Sequence, residues 1–330
     1  MRRSPYRRKN MGACPICLDL HLGAWTHSAV IQTEHIRPGE VDRTNIERKR
    51  DVSYTFEATS RMAELDGVSL HYHDMGEGFP TILIHGGGPG ATGWSNYQRN
   101  VEDLAKKGRV IVIDLPNYGR STKVGPQPGL FRYYSGVVRE FMDKIGIEKA
   151  NFVGNSLGGG TSLKFALDNP ERTGKVILMG AGGGLPIFSA MPTEGLRRMF
   201  AYYADGKPTR ERLRDFIDMM VFDGSQISDE LLEQRYQNSI DPEVVAAPSI
   251  LPRNGKPAIE DLWREDLAGL ENEVLIIWGR EDRVLPLDSS FILLNRLPNA
   301  RLHVFPNCGH WAQWEKASEF NELVANFIAA

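Results

Sequence analysis

A serine flanked by glycines, in the motif Gly154-Asn-Ser-Leu-Gly158, is the clearest candidate for chemistry in this chain. A serine hydroxyl is a weak nucleophile near neutral pH and needs a neighbouring base, which in turn needs an acid to orient it. The motif follows the apolar run Asn151-Phe-Val153 and opens a helix-like run at Leu157. This strand-turn-helix setting is typical of a nucleophile elbow, in which glycines prevent collisions with the neighbouring strand and helix. A glycine/serine helix cap without a catalytic role is the alternative interpretation.

The candidate base and acid are His310 and Asp282, each of which follows another strand-like run. The chain order Ser156, Asp282, His310 is the order of the catalytic triad in α/β-hydrolases. Glu281 is an alternative acid, and Asp282 is favoured by its position in the motif Gly279-Arg-Glu-Asp. We therefore predict a serine nucleophile mechanism, which needs no metal and no organic cofactor.

A glycine-rich loop, Gly86-Gly-Gly-Pro-Gly90, directly follows the first strong strand-like run. It lacks the lysine of the phosphate-binding pattern G-x-x-x-x-G-K-S/T and the G-x-G-x-x-G spacing of a dinucleotide site. Free backbone N–H groups in such a loop can instead stabilise a developing oxyanion, together with the N–H of the residue after the nucleophile. We predict an oxyanion hole formed by Gly87 and Leu157, and we expect His85 to brace the loop by hydrogen bonding.

Short apolar runs rich in β-branched residues alternate with helix-like stretches from about Ser53 onward, which predicts an α/β fold with a mostly parallel sheet. The strand-like runs are residues 81–85, 110–114, 151–154, 175–180, 274–279 and 301–305. The helix-like stretches include residues 136–145, 157–167 and 317–328. His71 and His73 lie in an alternating strand pattern and His303 lies within a run, so we expect core or surface roles for these three.

Residues 185–266 break this rhythm, since they are rich in Met, Arg and Glu and contain no strand-like run. Their pattern predicts several helices, over residues 192–204, 209–221 and 228–237. We predict a helical cap inserted over the carboxyl edge of the sheet, where open α/β sheets bind ligands. The hydrolase core is then expected in residues 53–184 and 267–330.

Composition places the chain among ordinary globular proteins, with 39 Lys+Arg, 42 Asp+Glu and a net charge of −3 over 330 residues. Residues 1–50 differ, with ten basic and five acidic side chains, so we predict a basic, disordered extension over residues 1–52. No run approaches the roughly 18 apolar residues of a membrane helix. Near-neutral charge argues against a nucleic-acid partner, and the first residues lack a signal-peptide cleavage pattern.

The three cysteines, Cys14, Cys17 and Cys308, are too few for a disulfide framework, which suits a reducing cytoplasm. Cys14 and Cys17 with His21 suggest zinc, and His27 is a conceivable fourth ligand. Paired cysteines in a tail are more often plain thiols, so we predict no metal.

Five segments of the chain together resemble the meta-cleavage-product hydrolases, which hydrolyse carbon–carbon bonds in bacterial aromatic and steroid degradation. They are residues 85–97, residues 154–161, Leu178-Met-Gly180 with the glycines that follow, the motif Trp278-Gly-Arg-Glu-Asp-Arg283, and the stretch from Leu302 to Glu315. The similarity runs from about Tyr54 to the C-terminus. The segment from Tyr54 to His73 resembles the steroid-pathway branch.

The resemblance implies a 2-hydroxy-6-oxo-hexa-2,4-dienoate substrate, which water cleaves to 2-hydroxypenta-2,4-dienoate and a carboxylic acid. His310 is then expected to move the proton that forms the keto tautomer and to activate Ser156, which forms an acyl-enzyme. The resemblance also implies a homo-oligomer and a set of residues that bind the substrate carboxylate and dienolate oxygen: Gly88, Asn96, Asn155, Ser225, Arg235 and Trp311.

Two other function classes stay open from the sequence. A carboxylesterase of the same fold is expected to turn over p-nitrophenyl esters far better than a dienoate, and a hydrolase-fold receptor is expected to bind ligand without turnover. The substituent on C6 of a dienoate, whether phenyl, alkyl or a steroid-derived bicycle, is not fixed by the sequence. Cap side chains that either select it or form the cap core are Met191, Met199, Phe200, Met219, Met220 and Phe222.

Overall fold

The computed structural model describes residues 54–249 and 260–330, in which eight strands form one sheet. The strands are β1 (Ser60–Glu64), β2 (Ser69–Met75), β3 (Pro80–Ile84), β4 (Arg109–Ile113), β5 (Ala150–Asn155), β6 (Thr173–Met179), β7 (Val274–Gly279) and β8 (Ala300–Phe305). Their spatial order is β1-β2-β4-β3-β5-β6-β7-β8. β1 pairs antiparallel with β2, as does β2 with β4, and all further pairs are parallel. The predicted α/β class is confirmed.

Both faces of the sheet are buried, which explains why its central strands are apolar without interruption. In β7, Val274, Ile276 and Trp278 belong to one apolar core, while Leu275 and Ile277 belong to a second core on the other face. Successive side chains of a strand point to opposite faces, so each residue of this run is buried. The six strand-like runs of the sequence therefore correspond to β3–β8.

Twelve α-helices accompany the sheet in the described residues. They are α1 (Phe56–Thr59), α2 (Gly93–Tyr97), α3 (Val101–Ala105), α4 (Leu130–Lys144), α5 (Leu157–Asp168), α6 (Glu194–Ala201), α7 (Arg210–Met220), α8 (Asp229–Ser239), α9 (Pro242–Ala246), α10 (Ser289–Arg296), α11 (Ala312–Glu315) and α12 (Ala317–Ala329). Helices α4 and α5 pack against each other, and α5 contacts β5 and β6. None of the helices in residues 54–249 and 260–330 is long and apolar enough to cross a bilayer.

Helix α4 begins at Leu130, six residues before the predicted start at residue 136. Its first turn is supported by a side chain that is remote in sequence, since the Glu260 carboxylate accepts the N–H groups of Phe131 at 2.7 Å and Arg132 at 3.0 Å. An acidic group at a helix N-terminus satisfies free N–H groups and complements the helix dipole. The sequence around the start of α4 does not predict this contact, because Glu260 is remote from it in the chain.

Helices α6 to α9 lie in the chain between β6 and β7, where the described residues contain no strand. All four begin with a side-chain cap, from Thr193, Thr209, Ser228 and Asp241 respectively. Their apolar faces form a separate core that also includes Trp311 and Trp314 from the segment after β8. This segment carries His310, so the helices pack against a loop that the sequence predicts to be catalytic. The predicted extension, residues 1–52, and its candidate zinc ligands lie outside the described residues.

His71 and His73 are fully buried on β2, as the expected core role requires. The Nδ1 of His71 lies 2.8 Å from the Asp114 carboxylate. The Nδ1 of His73 lies 2.9 Å from the Thr59 hydroxyl, and since that hydroxyl donates to the carbonyl of Thr55, Nδ1 is the donor. Its Nε2 is buried and has no hydrogen-bond partner among the described residues. Burial lowers the pKa of His73 to about 4, and the adjacent His71 and Arg120 act in the same direction against the opposing charge of Asp114.

The low pKa of His73 predicts a loss of stability in mild acid. The unfolded chain takes up this proton near pH 6.5 and the folded chain only near pH 4, so the folded state loses stability as the pH falls between these values. The loss amounts to at most about 3 kcal/mol. In His73→Asn, which keeps a donor toward Thr59, urea unfolding should show a smaller loss than the wild type between pH 6.5 and pH 4.5. Equal losses in the two proteins would contradict this interpretation.

Candidate active site

Ser156 occupies a sharp turn between β5 and α5, with φ 52° and ψ −109°. Such a left-handed backbone is strained for a residue with a side chain and is typical of a nucleophile elbow. A β-carbon at Gly154 would overlap the carbonyl of Gly158, and one at Gly158 would overlap the carbonyl of Ile84. The predicted steric reason for both glycines is therefore confirmed. The side chain of Ser156 remains partly exposed, although its neighbours on both sides are buried.

His310 and Asp282 form a buried pair, with Nδ1 of the imidazole 2.7 Å from Oδ2 of the carboxylate. A carboxylate can only accept, so Nδ1 carries the proton and Nε2 is left as the basic nitrogen. The other carboxylate oxygen accepts the N–H groups of Val284 at 2.8 Å and Leu285 at 3.0 Å, which fixes its orientation. Ser156 and His310 line the same pocket. The structure thus brings the three predicted catalytic residues together.

The alternative acid, Glu281, has a different position. Its Oε2 accepts the N–H of Cys308 at 3.1 Å, so it holds the start of the loop that carries His310. A second glutamate, Glu315, accepts the N–H of Gly309 at 2.8 Å in the same loop. The sequence reasoning assigned no role to Glu315, although it ends one of the motifs that carry the family resemblance.

The loop around His310 is also bound to the end of helix α7. The N–H of His310 donates to the carbonyl of Met220 at 2.6 Å, and the N–H of Phe222 donates to Glu315 at 2.6 Å. Arg283, next to the catalytic aspartate, donates to the carbonyl of Val221 at 2.8 Å. These contacts link the position of α7 to the positions of both triad members that follow β7 and β8.

The glycine-rich loop lies beside the nucleophile, since Gly86, Gly87 and Gly88 line the pocket with Ser156. His85 donates from Nδ1 to the carbonyl of Gly86 at 2.8 Å and accepts the N–H of Leu115 on Nε2 at 3.0 Å, which confirms its bracing role.

The second predicted oxyanion donor is at the start of helix α5. Leu157 is its first residue, and the first N–H groups of a helix have no partner within it. The predicted oxyanion donors, on Gly87 and Leu157, therefore flank the serine from two elements.

Tyr118 is a residue that the sequence reasoning missed. Its hydroxyl donates to the carbonyl of Gly87 at 3.1 Å and accepts a hydrogen bond from the Ser249 hydroxyl at 3.0 Å. Tyr118 is buried and its ring contacts the ring of His85 at 4.8 Å. It holds the carbonyl of Gly87, in the peptide that follows the predicted oxyanion donor, and only the folded structure reveals this contact.

Removal of the Tyr118 hydroxyl should slow the chemical step. Loss of this buried hydrogen bond frees the Gly87 carbonyl and loosens the backbone on which the Gly87 N–H is placed, so we expect kcat to fall about five- to tenfold in Tyr118→Phe while KM changes little. Tyr133→Phe is a matched control, because Tyr133 is only partly buried on α4 and does not line the pocket. Steady-state kinetics on both variants test this. A wild-type kcat in Tyr118→Phe would show that Gly87 is held by other contacts.

Arg235, on helix α8, is a buried cation in the same pocket, with 1% of its surface exposed. Its Nε and Nη2 donate to the carbonyl of Pro89 at 3.2 and 2.8 Å, and its guanidinium lies 4.7 Å from the centre of the Trp311 ring. Among the described residues, no group hydrogen-bonds to its Nη1 and no carboxylate pairs with it. Burial lowers the pKa of Arg235 to about 10, so it is cationic at neutral pH. An anionic ligand group would complete this site.

Two asparagines stand near the serine. The Nδ2 of Asn155 donates to the carbonyls of Met179 and His310, both at 3.3 Å, while its buried Oδ1 has no hydrogen-bond partner in residues 54–249 and 260–330. The Oδ1 of Asn96 accepts the N–H of Gly86 at 3.4 Å. The structure therefore gathers most of the predicted substrate-binding residues in one pocket, namely Gly88, Asn96, Asn155, Arg235 and Trp311.

Ser225 is not brought to this pocket. It is exposed in the short turn Gly224–Gln226, and its N–H donates to the Asp223 carboxylate at 3.0 Å. This turn follows the end of α7, and the local aspartate cap keeps the serine at the surface. The cap residues named from the sequence also differ in their positions relative to this pocket. Met199 and Met220 line the pocket of the serine, while Met219 is buried and Phe222 is exposed.

The space around the serine has two compartments of different size and character. The polar compartment, with Arg235 and His310, has a volume of about 20 Å³. A second cavity of about 510 Å³ adjoins it and also reaches Ser156. Gly87, Ser156, Met199 and Val284 line both, so the serine stands at their junction.

Within the part of the chain that the structure describes, no group of three or more His, Cys, Asp or Glu side chains is placed to hold a metal ion. The polar groups that face the serine are instead an arginine, two asparagines and backbone amides. Such a set suits an organic anion and a developing oxyanion.

Comparison with known proteins places this geometry in a family. Residues 80–317 match the family model described as the alpha/beta hydrolase fold. A hydrolase from Comamonas testosteroni, named for 2-hydroxy-6-oxononadienedioate and 2-hydroxy-6-oxononatrienedioate, is 44% identical over 272 residues, which are 80% of this chain and 93% of that protein. The chain belongs to the meta-cleavage product hydrolases.

A second relative and a solved structure agree with this membership. The 2-hydroxy-6-oxo-6-phenylhexa-2,4-dienoate hydrolase of Burkholderia cepacia is 44% identical over 270 residues, which are 80% of this chain and 93% of that protein. A meta-cleavage product hydrolase from Pseudomonas fluorescens IP01 superposes with a TM-score of 0.73 at 37% identity, covering 82% of this chain and 97% of that one. This hydrolase thus shares the fold and most of the length of its relatives.

Proposed function

We propose that the enzyme hydrolyses the C5–C6 bond of a 2-hydroxy-6-oxohexa-2,4-dienoate to give 2-hydroxypenta-2,4-dienoate and a carboxylic acid. The observation that carries this proposal is the buried Arg235, which has an unpartnered Nη1 in the same pocket as Ser156 and the His310–Asp282 pair. A nucleophile beside a fixed cation suits a substrate whose carboxylate lies a few atoms from the bond to be cleaved. A general esterase has no need of such a cation.

Binding of the dienoate carboxylate is proposed to replace the contact between Arg235 and the carbonyl of Pro89. That carbonyl accepts two of the guanidinium N–H groups, and a carboxylate is a stronger acceptor for them. At about 20 Å³ the polar compartment holds little more than one water molecule. The carboxylate end of the dienoate, here called its head, can therefore enter only if the Arg235 side chain or the helices that close this compartment shift.

The first chemical step is a proton transfer. The proton of the 2-hydroxyl leaves and C5 gains a proton, so that C2 becomes a ketone and the C3–C4 bond becomes double. His310 is the base in reach of the pocket, and its Nδ1–H is held by Asp282. This step is needed because the C5 of the dienol is a poor leaving group, whereas the keto form can accept the electron pair of the C5–C6 bond on its C2 oxygen.

The second step is attack by Ser156 on the C6 carbonyl. His310 takes the serine proton, and the N–H groups of Gly87 and Leu157 stabilise the oxygen that becomes negative. The C5–C6 bond then breaks, its electron pair passes through the C3–C4 double bond to the C2 oxygen, and that oxygen takes the proton held by His310, which gives 2-hydroxypenta-2,4-dienoate and leaves an acyl group on the serine. Water activated by His310 releases the carboxylic acid.

Turnover of a chromophoric dienoate tests the proposal. The purified enzyme should remove the long-wavelength absorbance of the 6-phenyl and 6-methyl dienoates with formation of equimolar 2-hydroxypenta-2,4-dienoate and of benzoate or acetate. Product identification by chromatography distinguishes cleavage from simple tautomerisation, which also changes the absorbance. An enzyme that leaves both dienoates intact, or only tautomerises them, does not have this function.

Several further features belong to the proposal. We propose a hydrolase core in residues 53–184 and 267–330, a cap in residues 185–266, and no catalytic role for residues 1–52. We also propose a cytoplasmic enzyme that assembles as a dimer or larger oligomer and has neither a nucleic-acid partner nor a cofactor. The two bacterial relatives, equal in identity at 44%, are named for a dioate and for a phenyl substrate, so they do not select the C6 substituent.

A further inference from the structure

The larger compartment beside Ser156 is lined mainly by apolar side chains. Its volume of about 510 Å³ lies in the range of cavities that hold drug-sized ligands. The walls come from two layers of the fold, with Phe131 and Leu157 from the core and Leu185, Leu196 and Phe200 from the segment between β6 and β7. Burial of an apolar group here removes its surface and that of the walls from water, which is favourable in proportion to the area.

The charged side chains that line this compartment, in the part of the chain that the structure describes, are both acidic. Among the described residues that line it, Glu260 and Asp261 are charged, and none is Lys, Arg or His. Glu260 is engaged by the N–H groups that begin α4, whereas Asp261 is exposed and lies 3.3 Å from Arg264. Such a lining disfavours an anion, because a carboxylate would lose hydration without gaining a cationic partner and would face two like charges.

Each of the two compartments therefore suits one end of a substrate whose reacting carbonyl lies at the serine. The cation on the polar side selects the dienoate carboxylate, and the apolar, acidic side receives whatever C6 carries. We propose that this enzyme selects dienoates whose C6 substituent is uncharged, apolar and at least the size of a phenyl ring, and rejects those in which that substituent ends in a second carboxylate. The inference rests on the proposed C–C hydrolysis and names its substrate class.

Three dienoates that share one head and differ only at C6 test the inference. These are the 6-phenyl, 6-methyl and 6-(2-carboxyethyl) compounds, and the measurement is kcat/KM for each with the intact wild-type enzyme. We expect the 6-phenyl compound to exceed both of the others by at least about tenfold. A 6-(2-carboxyethyl) value equal to or above the 6-phenyl value would overturn the inference, as would equal values for 6-methyl and 6-phenyl. Failure to cleave any of the three would instead contradict the proposed function.

Two substitutions separate the contributions of charge and size. Asp261→Lys should raise kcat/KM for the 6-(2-carboxyethyl) compound relative to the 6-phenyl compound by about threefold, as expected for one exposed charge. Glu322→Lys is its control for net charge, because Glu322 is exposed on α12 and does not line the compartment. Leu196→Trp should lower the ratio of 6-phenyl to 6-methyl by at least about tenfold by filling the cavity.

Each substitution has an outcome that contradicts the inference. If Asp261→Lys and Glu322→Lys change the carboxylate preference equally, the effect comes from net charge and not from this compartment. If Leu196→Trp leaves the ratio of 6-phenyl to 6-methyl unchanged while its circular dichroism and melting temperature match the wild type, the C6 substituent does not occupy this cavity.

Discussion

Ser156→Ala should give a folded protein that binds the dienoate and does not cleave it. The substitution removes the hydroxyl that the elbow presents beside the His310–Asp282 pair, while the buried Arg235 keeps its place. Loss of the nucleophile of a triad lowers kcat by about four orders of magnitude or more. In rapid-mixing absorbance measurements we expect a spectral change of the bound dienoate that does not decay.

A second serine on the same helix provides the matched control. The hydroxyl of Ser162 is buried and donates to the carbonyl of Gly158 at 2.8 Å, within α5. Ser162→Ala should keep kcat within about threefold of the wild type, because a single internal hydrogen bond of a helix contributes little to the chemistry. Full turnover by Ser156→Ala would refute the nucleophilic role of Ser156, and comparable losses in the two variants would assign the effect to helix α5 and not to the nucleophile.

Arg235→Gln should have the second largest effect, and only for substrates with a carboxylate. In the described residues no carboxylate pairs with Arg235, so its charge is available to the carboxylate of the substrate. The variant loses this buried cation, and kcat/KM for the dienoate should therefore fall by about two to three orders of magnitude. Hydrolysis of p-nitrophenyl acetate, which carries no carboxylate to recognise, should change by less than about fivefold. Arg235→Lys should recover part of the loss, since it keeps the charge without the planar fork.

The control for Arg235 is an exposed arginine on another of the inserted helices. Arg197 lies on α6 with its side chain in solvent, and Arg197→Gln should leave both activities near the wild-type values. Because Arg235 also donates to the carbonyl of Pro89 and packs on Trp311, the melting temperature of each variant must be compared. Equal losses of dienoate and ester activity in Arg235→Gln would show a structural role and not carboxylate recognition.

The central strands were predictable because they are buried on both faces. The predicted run 274–279 coincides with β7, and the other five runs lie within two residues of the observed strands. β1 was missed because Ser60-Arg-Met-Ala-Glu64 is an edge strand in which Ala63 alone is buried, so its hydrophobic signal is weak. The early start of α4 depends on Glu260, and no local pattern reports such a contact.

The triad was predictable because each member lies just past the end of a parallel strand, and such ends meet at one edge of the sheet. The substrate side was less predictable, since it depends on how helices α6 to α8 lie over that edge. Phe216 and Val284 line the pocket and were not named, although Phe216 lies four residues before Met220 on one face of α7. Tyr118 and Glu315 act on backbone groups of other segments, and such roles require the folded structure.

The most direct test of the central claim compares two substrates on one enzyme preparation. The measurement is kcat/KM for the 6-phenyl dienoate and for p-nitrophenyl benzoate, both of which would form the same benzoyl group on Ser156. Because the dienoate offers Arg235 and the asparagines a carboxylate and a dienolate oxygen that the ester lacks, we predict a larger kcat/KM for the dienoate, by at least about tenfold. A larger value for the ester would contradict the account and identify the protein as a carboxylesterase.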